Sequence, residues 1–340
     1  MSSILILVVI IVGTALIFDF LNAFHDAANT IATIVVTRTL SPLMAVLLAG
    51  AANFIGYFAF GTAVAKTIGS GVVHMEMATL PLILAALIGA TIWNLVTWLL
   101  GLPTSSSHAL IGGLIGAGAA ALGAKAIMIH GVLKIFLFII IAPVLGFAGA
   151  YIFTIITRWA ASSFHPSKVT PFFKNLQIVS SIASSVGHGT NDAQKSMGII
   201  ALTLFAAHMT SKFQIQPWIV IACYSAISLG TTFGGWRIVR TMGTRITKIG
   251  PSEGFCSGAA SAGVLFFATH LGIPVSTTHV ISGSIMGVGS VGSAGKVRWI
   301  TARKIIWAWL LTIPLTASCA AIAYLVITKI WPVAKILLVK

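Results

Sequence analysis

The chain has 340 residues, 58% of them hydrophobic, with 20 Lys and Arg against 5 Asp and Glu and a net charge of +15. Charged residues make up 7%, about a third of the share usual in soluble domains, which excludes an ordinary cytosolic enzyme, a nucleic-acid-binding module and a disordered chain. The basic residues fall between apolar runs rather than along one groove, as they do in the cytoplasmic loops of membrane proteins.

A bilayer core takes about 20 apolar residues per helix. Candidate segments are 4–37, 43–65, 78–100, 104–123, 132–157, 176–208, 217–236, 254–272, 275–293 and 305–328. The first follows Met1-Ser2-Ser3, with no basic stretch and no small-residue cleavage site, and is expected to stay in the mature protein. Segments 4–37 and 176–208 are too long for simple spans, and each carries a polar cluster at its middle; both are expected to be broken helices. Segments 78–100 with 104–123, and 254–272 with 275–293, are expected to form hairpins, re-entrant rather than full spans. The fold class is an all-α polytopic membrane protein. With both termini outside, 12 Lys and Arg fall inside and 7 outside, with Lys195 in the membrane, which is the expected bias. Cys223, Cys256 and Cys319 lie in apolar stretches without metal-ligand spacing.

The chain repeats itself. Gly101-Leu102-Pro103-Thr104-Ser105-Ser106-Ser107-His108 matches Gly272-Ile273-Pro274-Val275-Ser276-Thr277-Thr278-His279, and the match runs on through Gly112/Gly283, Gly116/Gly287 and Gly118/Gly289. A second pair is His25-Asp26-Ala27-Ala28-Asn29 against Asn191-Asp192-Ala193-Gln194-Lys195. With three net crossings per half, the second half enters from the opposite side, giving an inverted-topology repeat of the kind found in secondary transporters. The expected division is 1–157, a basic linker loop at 158–175, and 176–340.

Asp26 and Asp192 sit within apolar runs, where an ionised carboxylate costs about 2.5–3.5 kcal/mol on insertion scales. Their equivalent positions point to a shared central site; helix capping, or an Asp192–Lys195 pair, is the plainer alternative. The Ser/Thr clusters are of N-cap type, and helix N-termini bind anions, so two of them present donors suited to a tetrahedral oxyanion. Gly112-x-x-x-Gly116 and Gly283-x-x-x-Gly287 resemble close-packing faces. Carboxylates beside an anion need a cation between them: a proton, sodium, a divalent metal or a lysine. That requirement fits symport. His108 and His279 are read as packing residues at the hairpin tips; His25 and His188 flank the Asp motifs; the role of Asp19 is open.

At these motifs the sequence resembles the inorganic phosphate transporter (PiT) family, in its bacterial low-affinity branch. The resemblance implies a carrier, not an enzyme, that takes inorganic phosphate through the bacterial inner membrane together with a cation, often as a homodimer, without a cofactor, a resident metal or a nucleic-acid partner. It carries phosphate binding over to Asp26, Asn29, Ser105, Ser106, Asp192, Ser276 and Thr277, and cation coupling to Asp26, Asp192, Lys195 and His25. Two departures matter. His25 stands where many relatives have Asn, and Gln194-Lys195 stands where sodium-coupled members show an amide. The Gln-Lys form favours protons, with Mg or Ca as possible companions of phosphate. The alternatives are a sodium-coupled phosphate symporter, a sulfate or arsenate permease and, in a different class, an intramembrane hydrolase built on Ser105, His108 and Asp26.

Overall fold

The computed structural model describes residues 3–58 and 61–330; the basic residues Lys335 and Lys340, assigned to the outside with the C-terminus, lie outside that range. Thirteen α-helices follow one another among the described residues: α1 (Ser3–Asp26), α2 (Ala28–Val36), α3 (Pro42–Ile55), α4 (Ala63–Gly71), α5 (Leu80–Leu100), α6 (Ser106–Leu122), α7 (Ile129–Ala161), α8 (Pro166–Ala206), α9 (Pro217–Phe233), α10 (Trp236–Arg240), α11 (Pro251–His270), α12 (Thr277–Ser290) and α13 (Trp299–Ile330). The only β-pairing among them is an isolated bridge between Val73 and Ile127. Four runs are long and apolar enough to cross a membrane, Ser3–Val36, Leu80–Leu100, Ile129–Ala161 and Trp299–Lys329, and two bent pairs raise the number to six. Their outward faces are apolar, as at Leu133, Leu137 and Ile140 of α7 and Trp307, Leu310 and Ile322 of α13. This is a multi-pass membrane protein.

Of the two expected breaks, that in 4–37 falls at its polar cluster and that in 176–208 does not occur. In 4–37 the interruption is one residue, Ala27, whose backbone stays helical at φ −50° and ψ −35°. In 176–208 there is none: α8 runs unbroken for 41 residues. Several of its polar residues, among them Gln177, Ser181, Asn191, Asp192 and Gln194, have partners on other helices, so the backbone ladder need not open to satisfy them. The sharp bends lie instead between α3 and α4, at 85°, and between α9 and the segment 236–245, at 60°. Gly234 makes the second bend with φ +65°, a conformation that residues with a Cβ seldom adopt. The expected linker 158–175 is mostly helical, with only residues 162–165 outside α7 and α8.

The element order of α5, α6 and α7 recurs in α11, α12 and α13, with a proline inside each last helix at a matched position, Pro143 and Pro314. The two series interlock. α1 packs on α5 and α9, and α8 on α11 and α3; α6 packs on α13, and α12 on α7. The glycine faces make these crossings. A Cβ at Gly112 would come within 2.7 Å of the Ile313 carbonyl oxygen, and one at Gly116 would strike that of Ala317; Gly283 and Gly287 stand in the same relation to Pro143 and Phe147. Each half is therefore closed by the final long helix of the other.

Candidate functional site

The α1–α2 run and α8 each present one polar face, set by the spacing of three and four residues that returns a helix to the same side. On the first run the face is Asp19, Asn22, Asp26 and Asn29; on α8 it is His188, Asp192 and Lys195, with Ser196 one residue on. All are buried. The faces meet where Asn22 Nδ2 donates to Asp192 Oδ2 at 3.4 Å. Lys195 Nζ lies 2.8 Å from Asp192 Oδ1, and His188 Nε2 lies 3.5 Å from Asp192 Oδ2. One ligand atom from each of Asp26, His188 and Asp192 falls within 4.8 Å of the others, so the two motif aspartates share a single centre.

The hairpin tips supply the hydroxyls. Ser106 Oγ donates to Asp26 Oδ2 at 3.3 Å and Thr278 Oγ1 to Asp26 Oδ1 at 3.2 Å. Asn29 Nδ2 donates to Thr277 Oγ1 at 3.1 Å and Thr278 Oγ1 at 3.0 Å. His25 Nδ1 is 2.7 Å from Asp26 Oδ1, and its Nε2 meets Thr97 Oγ1 at 3.3 Å. Asp26 thus draws on the first helix, the first hairpin and the second hairpin at once. The tips touch: Ser107 Oγ donates to the Val275 carbonyl at 3.2 Å, and the rings of His108 and His279 meet edge to face at 4.7 Å.

Ser105 and Ser276 serve differently from their neighbours. Each is the N-cap of its helix and accepts from the backbone N–H three residues on, His108 and His279, at 3.2 Å. An accepting hydroxyl keeps its own O–H to donate, so both stay available to an anion. Together with the N–H groups in the first turns of α6 and α12, they form two donor clusters whose tips touch. Between them stand two carboxylates, an ammonium and two imidazoles. The arrangement suits an oxyanion accompanied by a cation, and Asp26, His188 and Asp192 are the groups that could hold that cation.

Every residue singled out at the two motif pairs is buried here, but not every one faces the centre. Gln194 is turned away; its Oε1 accepts from the N–H groups of Val64 and Ala65 at 2.9 and 3.2 Å and caps α4. Asn191 Nδ2 donates to Thr269 Oγ1 at 3.2 Å, behind the second hairpin. Asn22, Thr278 and Thr97 are not among the residues that the sequence assigns to phosphate or cation binding. Asn22 is one turn before Asp26, and Thr278 is the repeat match of Ser107, so both had a faint signal; Thr97 had none. The Ser105–His108–Asp26 triad does not form. The imidazole on Asp26 is His25, and the ring nitrogen His108 Nδ1 has no hydrogen-bond partner.

Comparison with known proteins places the chain among its relatives. The "Phosphate transporter family" matches residues 22–320. The chain is 50% identical to a "Probable low-affinity inorganic phosphate transporter" of Rhizobium meliloti (strain 1021), over 94% of this chain and 96% of that protein. It is 43% identical to a protein of the same description from Bacillus subtilis (strain 168), over 97% of this chain and all of that one. A solved structure titled "The sodium-dependent phosphate transporter" superposes with a TM-score of 0.83 at 27% identity, covering 94% of this chain and 99% of the other.

Proposed function

The chain belongs to the phosphate transporter family, and from that membership we propose that it imports inorganic phosphate across the bacterial plasma membrane by symport with protons. It is a transporter and not an enzyme. Phosphate is held between the hairpin tips by Ser105, Ser106, Ser276 and Thr277, with Asn29 beside them and Asp26 and Asp192 as acceptors for the protons that phosphate carries. A fully ionised sulfate has no such proton to offer, whereas arsenate has and should compete.

The observation that carries proton coupling is the buried ion pair of Lys195 with Asp192 at 2.8 Å. A fixed ammonium supplies, inside the centre, the positive charge that a bound sodium ion would otherwise bring. The transported cation is then a proton. The second reading is sodium coupling. It is favoured by the solved neighbour's title and by the cluster of Asp26, His188 and Asp192, which suits a sodium ion or a divalent ion travelling with phosphate. An inverted arrangement of the two halves, with both termini outside, places the two hairpins on opposite sides of the centre and gives the alternating access that symport needs.

Purified protein in proteoliposomes, given labelled phosphate and independently imposed proton and sodium gradients, separates the readings. Accumulation driven by an inward proton gradient without sodium is the expected result; strict sodium dependence with no response to pH overturns proton coupling.

A further inference from the structure

The helix bundle encloses three carboxylates, and they are not equally provided for. Asp26 has His25, Ser106 and Thr278, and Asp192 has Lys195, His188 and Asn22. Asp19 is the least provided for: it is 0% exposed, no side chain makes a well-aligned hydrogen bond to either of its oxygens, and the one hydroxyl beside it is that of Ser196. An ionised carboxylate without well-aligned donors in such surroundings is far costlier than a neutral acid. A neutral acid needs only an acceptor for its O–H. Two stand near, the hydroxyl of Ser196 on α8, beside Asp19, and the amide oxygen of Asn22, one turn along α1. Neither makes a well-aligned hydrogen bond elsewhere, and a hydroxyl can accept as well as donate.

We propose that Asp19 is the carboxyl that carries the coupling proton, and that Lys195 reports its occupancy to the phosphate centre. The proposal rests on the reading of the chain as a phosphate–proton symporter. The charged and titratable groups facing Asp19 are Asp192 and Lys195 on α8 and Cys223 and Tyr224 on α9; α5, which also packs on α1, carries none. Lys195 is thus the single cation among them, and two carboxylates can claim it. With the proton on Asp19, the ammonium stays on Asp192. When the Asp19 O–H bond breaks and the proton passes to water on the side to which the site opens, the carboxylate left behind competes for the ammonium. Asp192 then meets phosphate with its charge uncompensated, and the anion is repelled. Proton and phosphate bind together and leave together for an electrostatic reason.

Asp19→Asn, a neutral mimic of the protonated acid, tests this in proteoliposomes. An inward gradient of one pH unit drives about tenfold phosphate accumulation per coupled proton. Asp19→Asn is expected to lose that accumulation while still exchanging labelled for unlabelled phosphate. Wild-type exchange is expected to decline at high pH, and that of Asp19→Asn to lose the decline. Asp19→Glu is expected to restore accumulation with a displaced pH profile. In the infrared spectrum, wild type should show the carbonyl band of a protonated carboxylic acid that Asp19→Asn removes, Asp19→Glu moves and Asp26→Asn keeps. Proton-driven accumulation by Asp19→Asn equal to wild type, or absence of that band from wild type, overturns the role of Asp19 alone. A wild-type protein that exchanges phosphate but ignores the pH gradient overturns proton coupling, and the role of Asp19 with it.

Discussion

Asp26 and Asp192 occupy equivalent places in the sequence but unequal ones in the structure. Asp26 is held by two hydroxyls and an imidazole, Asp192 by an ammonium. Asp26→Asn and Asp192→Asn are each expected to abolish accumulation of phosphate while the protein stays folded and inserted; near-normal uptake by either would remove that aspartate from the centre. Their stability costs should differ. Asp26→Asn weakens hydrogen bonds to a charged acceptor worth about 1.5–3 kcal/mol. Asp192→Asn leaves a buried ammonium unpaired, a loss of about 3–5 kcal/mol, and should lower the melting temperature further. Adding Lys195→Met to Asp192→Asn should recover part of that loss without recovering transport. Lys195→Asn is expected to lose proton-driven uptake and to respond to sodium instead; unchanged proton coupling in that variant would leave Lys195 with a structural role only.

Helix ends and crossings carry the next level. Ser105→Ala and Ser276→Ala remove the N-caps of α6 and α12, at about 0.5–2 kcal/mol each, and a hydroxyl donor to phosphate. Phosphate binding should weaken without vanishing, because the backbone N–H groups remain; affinity equal to wild type in both variants would take the hairpin tips out of the site. Gln194→Ala, which uncaps α4, should lower thermal stability without changing phosphate affinity. At the crossings, Gly116→Ala would place a methyl group on the Ala317 carbonyl, and Gly287→Ala one on that of Phe147. Overpacking of this kind costs about 1–3 kcal/mol or more. Gly13, with nothing within 4 Å of its added Cβ, is the control: Gly13→Ala should be neutral or mildly stabilising. Equal melting temperatures for all three would deny that α6–α13 and α7–α12 are close-packed.

At the scale of the molecule, the two hairpins meet tip to tip while each is closed by a long helix of the other half. A carrier must part these tips or move them together to pass its substrate. Cysteines at positions 107 and 275, where side chain and backbone are now 3.2 Å apart, in a background without Cys223, Cys256 and Cys319, are expected to form a disulfide that stops phosphate uptake until it is reduced. Full transport by the cross-linked protein would show that the tips stay in contact throughout the cycle.

Membrane residence and family were legible from the residues, for a physical reason: a chain with 7% charged residues has no way to solvate a soluble surface, and duplicated polar motifs within apolar runs are costly enough to mark a site. The glycine faces were legible too, since only close helix approach explains their spacing. Partners were not. That Ser106 and Thr278 reach Asp26, while Ser105 and Ser276 turn to cap their helices, depends on where chain segments 80 and 252 residues apart come to rest. The polar cluster of α8 suggested a broken helix because, in isolation, buried polar groups call for an opened backbone. Only the packing of α1, α3 and α11 around α8 shows that side chains from other helices answer several of them. The same packing leaves Asp19 without a well-aligned donor, since the hydrogen bonds a side chain lacks are decided by its neighbours in space and not by its neighbours in sequence.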